Sequence, residues 1–518
     1  MALSIQHHPP GLTDAEPRSL QRPGAILLIS CYELGHQPIG LAQPIGFLEQ
    51  AGYVPAAMDI AVEMFDAERV RQARFVGISV PMHTALRLGV RVAELIRTTN
   101  PTCHICFYGL YASLNTEHLL QHVADSVIGG EYEIPLVNLV QTLEAAGTRG
   151  DRISDLEGVS RREQIVGPLL KRPPVRFPVP SRNGLPGLDQ YARLERDGDQ
   201  HVVGYVEASR GCLHHCLHCP IVPVYEGRFF IFPEAAVLED IRGQVRAGAT
   251  HITFGDPDFL NGPGHAGSIV RAMHAEFPRI TFDFTAKIEH VLKQQALFPE
   301  LGALGCVFMV SAVESFSDTV LAHLAKGHGR ADIITALEIV RTAGITLRPS
   351  LVAFTPWTTL EDYLEMFDLI ESNDLIDAVD PVQYTIRLLI PPGSALLHPT
   401  GLSEDAPAPI LTFLGPLDQA GFQYRWTHPD LRMDQLHQRV SLVVEEAARA
   451  GEDPAVTFDR LRGLAYSIAG RQPLVSGVPR ARLQDRTRPP RLTEPWFCCA
   501  EPTEKQFQPL RTERQAGV

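Results

Sequence analysis

Apolar residues along this chain fall into two repeating rhythms. Between residues 24 and 146, "GAILLIS", "RFVGISV" and "CHICFYG" are short, nearly unbroken apolar runs. Such runs predict strands buried on both faces of a parallel sheet. "YVPAAM" and "DSVIGG" bring the expected strands to five. Between them, "PIGFLEQAG", "TALRLGVRVAELIR" and "IPLVNLVQTLEAAG" carry apolar residues at helical spacing. The alternation predicts a doubly wound α/β domain over 24–146, whose ligand sits at the carboxyl ends of the strands.

Residues 147–195 break the rhythm. "KRPPVRFPVPSRNGLPG" is rich in Pro and Gly and reads as an extended linker. A second βα series fills 196–395, with strands expected at "VVGYVEAS", "THITFG", "RITFDFTA", "CVFMVSAVE", "ITLRPSLVAF" and "VQYTIRLLI". "PEAAVLEDIRGQVRAG" is a helix between two of them. Pro233 suits its first turn, Gly248 its C-terminal end, and Val237, Leu238, Ile241 and Val245 share a face. About six units predict a partial (β/α)6 barrel with its chemistry at the strand C-termini. Residues 396–475 read as helical, notably "LHQRVSLVVEEAARAG". Residues 1–23 are expected to be disordered, and 476–518 to be a mobile Pro/Arg-rich tail.

Composition narrows the function. At 45% hydrophobic and 20% charged, the 518 residues are those of a globular protein able to bury large cores. No apolar run approaches the roughly 20 residues of a membrane helix, and the N-terminus has no apolar signal region. The expectation is a cytoplasmic protein that does not act at a membrane. A net charge of −14 argues against nucleic acid as a partner. In a reducing compartment the nine cysteines are ligands, reactive groups or core residues rather than bridges.

Three of them, Cys212, Cys216 and Cys219, crowd into "EASRGCLHHCLHCPIVP", just after the first barrel strand. Each [4Fe–4S] cube normally takes four cysteines. Three leave one iron open, which suits a catalytic cluster. The alternative is zinc, with His214, His215 or His218 as the fourth ligand. Cys103 and Cys106 stand three apart on a strand and so point to opposite faces, which makes them core residues. Cys31 and Cys306, at the end of one strand and within another, are also assigned to the core.

The C-x3-C-x2-C loop at the end of the first strand of a βα barrel resembles the signature of the radical S-adenosylmethionine (SAM) superfamily. That resemblance implies a [4Fe–4S] cluster on Cys212, Cys216 and Cys219, with SAM on the open iron and cleaved by one electron. It also implies an electron donor such as flavodoxin or ferredoxin, and a small-molecule substrate. The position before the last cysteine is usually aromatic in that family; here it is His218. "GDPDF" is similar to the motif after the second strand, which places Gly255 and Asp256 near SAM. "SAVES" and "LAKGH" look like the stretch ending the fourth strand, which places Glu314 and Ser315 there. "IRLLIPPGS" lies where adenine contacts are expected. A plain alternative is that Asp256 and Glu314 cap the helices that follow them.

A five-stranded α/β domain ahead of such a barrel resembles the cobalamin-binding domain of B12-dependent radical SAM proteins. "FYGLYAS" and "IGGEYE" are similar to that group's Gly-rich turns, which assigns Gly109, Gly129 and Gly130 to cobalamin. The D-x-H-x-x-G motif that supplies a histidine below cobalt is missing, and His36 in "ELGHQPIG" has the wrong spacing. The "CCAEP" tail resembles a radical SAM group named for its CUAEP or CCAEP ending, which assigns a reactive role to Cys498 and Cys499. Together these imply a cobalamin-dependent radical SAM enzyme that transfers a methyl group. The alternatives are a radical rearrangement or cyclisation without methyl transfer, and a zinc-stabilised binding protein.

Overall fold

The computed structural model describes residues 19–146, 156–172, 176–397, 410–471, 488–494 and 501–510. The first sheet contains β1 (Ile26–Ser30), β2 (Ala56–Asp59), β3 (Phe75–Ser79), β4 (His104–Tyr108), β5 (Ser126–Ile128) and β6 (Val159–Ser160). Its order is β2-β1-β3-β4-β5-β6. β1 to β5 run parallel, as their apolar runs predict, and β6 adds an antiparallel edge. Cores form on both faces. Cys103 packs into one and Cys106 into the other, as the pleat requires.

The second sheet contains β7 (Arg193–Arg196), β8 (Asp199–Val206), β11 (His251–Phe254), β12 (Thr281–Thr285), β13 (Cys306–Glu314), β14 (Thr346–Leu351) and β17 (Arg491–Leu492). Its order is β14-β13-β12-β11-β8-β7-β17. β8, β11, β12, β13 and β14 are parallel, and helices cover their outer face. A separate antiparallel pair, β9 (Ser209–Gly211) with β10 (Phe229–Ile231), stands after β8. The helix Glu234–Arg246 buries Val237 and Ile241 and rests Leu238 and Val245 against the core.

Three regions differ from the sequence reading. The sixth barrel strand shrinks to a single bridge, Phe354 to Arg387. Pro381, which lacks a ladder donor, starts a 3-10 turn over Pro381–Thr385, and Ile386, Leu388 and Ile390 bury against Trp426 instead. The stretch 147–195 is not only a linker, since β6 and β7 extend the two sheets. Residues 396–475 hold a hairpin, β15 (Leu414–Asp418) with β16 (Gln423–Trp426), before the helices Leu431–Ala450 and Pro454–Ile468.

The tail is anchored where it is described. β17 pairs antiparallel with β7, and Leu492 packs with Phe308 and Val310 of β13. Arg348, on β14 at the opposite edge of the sheet, donates to the Pro490 carbonyl at 3.4 Å. The sheet therefore curls until the tail strand meets its far edge. Further on, the turn Glu504–Phe507 and Leu510 pack on the first domain. Among the described residues, no helix is long and apolar enough to cross a membrane.

Candidate active site

The cysteine loop leaves β9 and ends at the short helix Val222–Tyr225. Backbone bonds fix its shape: Cys212 N–H to Arg228 O (3.1 Å), Leu217 N–H to Leu324 O (3.0 Å) and Cys219 N–H to Cys216 O (3.0 Å). Cys216 is buried, and Cys212 and Cys219 are half-buried. Burial pushes the Cys212 thiol up to about 11. It raises Cys219 too, and the neighbouring Cys216 and Cys212 sulfurs add to that rise. Cys212 and Cys219 thus keep their protons until a cation displaces them, as in a metal-binding loop.

Asp256 follows β11 and does not cap a helix. It accepts from Ala208 N–H (2.9 Å) and Ser209 Oγ (2.5 Å), tying β11 to the strand that leads into the cysteine loop. Burial raises its carboxyl to about 7. The helix-capping task falls to Asp258, which accepts from Leu260 N–H at 3.0 Å. Gly255 has a steric reason to be glycine: a Cβ there would stand 2.1 Å from the Tyr205 hydroxyl oxygen.

Glu314 ends β13 with φ +63°. It also caps no helix. Its Oε1 lies 3.2 Å from His218 Nε2 and 3.2 Å from Lys326 Nζ. Burial pushes this carboxyl up, but Lys326 and His218 more than reverse that, to about 2. Lys326 is itself buried and feels the Cys216 and Cys219 sulfurs. Ser315 accepts from Ser317 N–H at 3.1 Å and shapes the turn after β13.

One cavity of about 380 Å³ lies between the carboxyl ends of the two sheets. Cys219, Gly255, Asp256 and Glu314 line the barrel side, and Gly109, Gly130, Met82 and Tyr111 the other. Gly129 stands behind this wall against Ser113 and Pro168. Gly130, at φ +69°, leaves no room for a side chain, because a Cβ would meet the Leu169 carbonyl oxygen at 2.3 Å. His36 also lines the cavity, its ring stacked on Tyr205 at 4.4 Å. Burial holds its imidazole down at about 3.

Several lining groups escaped the sequence reading. Arg210 of β9 joins the domains through Glu133 of the first one at 2.8 Å, and also contacts Glu207 at 3.2 Å. Glu133 belongs to "IGGEYE", the same turn that carries Gly129 and Gly130. Leu492 and Glu494 bring the tail into the cavity, where the Tyr32 hydroxyl donates to Glu494 at 2.8 Å. Cys498 and Cys499 lie outside the described residues. Beyond them Glu501 contacts His83 and Arg87 at the start of the helix His83–Thr99, and accepts from Gln423 Nε2 at 2.7 Å.

Residues 206–370 match the radical SAM superfamily. The chain therefore carries a radical SAM domain. A [4Fe–4S] cluster and SAM go with such a domain. Among curated proteins, the chain is 25% identical to the hopanoid C-3 methylase of Methylococcus capsulatus over 331 residues, 62% of either protein. It is 28% identical over 199 residues to the tRNA-2-methylthio-N(6)-dimethylallyladenosine synthase of Geobacter sulfurreducens, 36% of this chain and 44% of that one. The match thus spans less than two thirds of either relative. Among solved structures, the cobalamin-dependent SAM radical enzyme OxsB with aqua-cobalamin bound superposes with a TM-score of 0.64 at 16% identity, covering 86% of this chain and 73% of that one. The radical SAM methyltransferase TsrM from Kitasatospora setae, with cobalamin and a [4Fe–4S] cluster bound, gives 0.59 at 15% identity, covering 87% and 100%. At such identities the likeness is one of fold.

Proposed function

We propose that this enzyme combines the cluster and SAM of its barrel with a cobalamin held by its first domain, and transfers a methyl group to a small molecule. The observation that carries this reading is a cavity shared by the carboxyl ends of both sheets. Cys212, Cys216 and Cys219 would hold three irons and leave one open. Bound there, the groups supply one-electron cleavage of SAM and methyl transfer.

The chain's own residues do the rest. Glu314, kept ionised, offers a carboxylate for the cationic part of SAM, and Asp256 lines the same wall while it braces the strand into the cysteine loop. Lys326 balances Glu314 and the cluster thiolates. The first domain offers a wall of Met82, Gly109, Tyr111 and Gly130, smooth enough for a broad ring system. His36, stacked and neutral, is held to Tyr205 and is not assigned to cobalt. Electrons come from a donor such as flavodoxin or ferredoxin. The anchors on either side of Cys498 and Cys499 support a role for these thiols near the cavity: Glu494 lines it, and Glu501 holds the helix after β3. Within the radical SAM class, the CCAEP ending remains the basis for assigning the tail group.

The test uses full-length protein reconstituted without air with iron, sulfide and hydroxocobalamin. It should hold about four irons and one cobalamin, and move the methyl of labelled SAM onto cobalamin. Iron without cobalamin would leave radical chemistry and remove methyl transfer. Zinc on the cysteines with no iron uptake would overturn the whole reading.

A further inference from the structure

We propose a second metal site, built from His214, Asp258 and His290, that takes a zinc-like divalent cation and clips the cysteine loop to the barrel. It is independent of the reading above and shares no ligand with the cluster. The three residues come from three separate pieces of chain. His214 stands inside the cysteine loop, between Cys212 and Cys216. Asp258 lies in the turn after β11, and His290 in the helix Ile288–Lys293 after β12. Each offers one ligand atom, and these atoms lie within 4.8 Å of one another.

The spacing suits a metal. Asp258 Oδ2 is 2.9 Å from His290 Nδ1 and 3.6 Å from His214 Nε2. Ligand atoms around a tetrahedral zinc with bonds of about 2.0–2.1 Å stand roughly 3.3 Å apart. The two edges bracket that value, and the third, between the two imidazole nitrogens, is no longer than 4.8 Å. The rings are tilted at 56° with centroids 4.6 Å apart, so they are not stacked face to face.

The pairing pattern points the same way. His214 Nε2 is buried with no hydrogen-bond partner, although it faces Asp258. A closed hydrogen-bonded network would not leave that nitrogen unmatched. Asp258 is held in place by backbone donors, Leu260 N–H on Oδ1 (3.0 Å) and Lys287 N–H on Oδ2 (3.2 Å). Across the His214 ring, Glu289 Oε2 lies 3.6 Å from Nδ1. A metal at Nε2 needs the ring proton on Nδ1, where Glu289 is the carboxylate at hand to accept from it, the usual kind of outer partner of a ligating histidine. One feature opposes a cation here: the Lys287 ammonium donates to His214 Nδ1 at 3.3 Å, which adds positive charge, offset by Glu289 at 3.3 Å, and puts the ring proton on Nε2 until a metal displaces it. Two imidazoles and one carboxylate favour zinc over magnesium or calcium, with water completing the shell.

The plain rival is a hydrogen-bonded His–Asp–His clip without metal, and His290→Asn separates the two. Its amide nitrogen replaces Nδ1 and keeps a donor for Asp258, but it is a poor zinc ligand. Cluster-loaded full-length protein is exposed to zinc without air, desalted, and assayed for both metals. The site predicts about one zinc beside about four irons, and a zinc-dependent rise in Tm. His290→Asn should weaken zinc by at least about tenfold with iron retained, whereas Lys287→Gln should tighten it. Wild-type protein with no zinc beyond the cluster iron and no Tm shift would overturn the site. So would zinc that survives both His290→Asn and Asp258→Asn.

Discussion

The two sheets end at one cavity but finish in different chemistry. At the barrel rim stand Asp256, Glu314 and three thiols, and each carboxylate has fixed donors from its neighbours. At the rim of the first sheet stand Leu34, Pro81, Met82, Gly109, Tyr111 and Gly130. The carboxyl there, Glu33, is raised to about 8 by burial and by Glu207. Parallel strand topology puts a ligand at both rims. Composition then decides which: an ionic rim suits iron, ammonium and carboxylate groups, while an apolar rim suits a broad uncharged face.

The largest test of that division removes one rim's chemistry and asks whether the other survives. Cys216→Ala should abolish SAM cleavage and strip the cluster, measured by iron content and 5′-deoxyadenosine release, while hydroxocobalamin still binds. Loss of both ligands would mean the rims are not separable. Glu314→Gln sharpens the ionic side. It should weaken SAM at least about tenfold, roughly 1.4 kcal/mol, with iron content unchanged; unaltered affinity in a binding titration would reduce Glu314 to a partner for Lys326. The tail belongs to neither rim. Cys499→Ser should leave SAM cleavage without substrate intact but slow product formation at least about tenfold; if the cluster is lost as well, the tail is a folding element or ligand.

A smaller effect is set by pH. The folded Asp256 carboxyl titrates at about 7, above its ordinary value of 3.8. The folded state therefore binds this proton more tightly, and the stability it brings fades as pH rises from about 4 to 7. Thermal scans of cluster-free protein should show Tm falling over that window in wild type and falling less in Asp256→Asn. Equal slopes would show that the Asp256 carboxyl is not buried as described. The smallest expected effect is none: His36→Ala should leave the spectrum of bound hydroxocobalamin unaltered, and a large change would make His36 a cobalt ligand.

Local patterns carried much of this architecture. The apolar runs of β1, β3 and β4 are local signals that the strands bear out, and the spacing of Cys212, Cys216 and Cys219 is a local signal that needs no fold to be seen. The sixth barrel strand failed because an apolar stretch such as "VQYTIRLLI" reads alike whether it pairs in a sheet or packs on a tryptophan; Pro381 decided it. β7 and β17 are short and polar, and they pair Arg491 with Glu195 across nearly 300 positions, a link with no local trace. Lys326 in "LAKGH" carries no local mark of its role, because lysines are seldom buried. Only the fold shows that Glu314 and the Cys216 and Cys219 sulfurs stand around it. Asp256 and Glu314 could each be taken for a helix cap in the sequence, and only their hydrogen bonds exclude that.

The central claim is that one cavity joins the cluster side to the cobalamin side, and electron paramagnetic resonance tests it most directly. Full-length protein, reconstituted with cluster and cobalamin and reduced to give a paramagnetic cluster beside cob(II)alamin, should show the two spins broadening each other, with the cluster signal shifting when SAM is added. Two independent, unbroadened signals that ignore SAM would contradict a shared site.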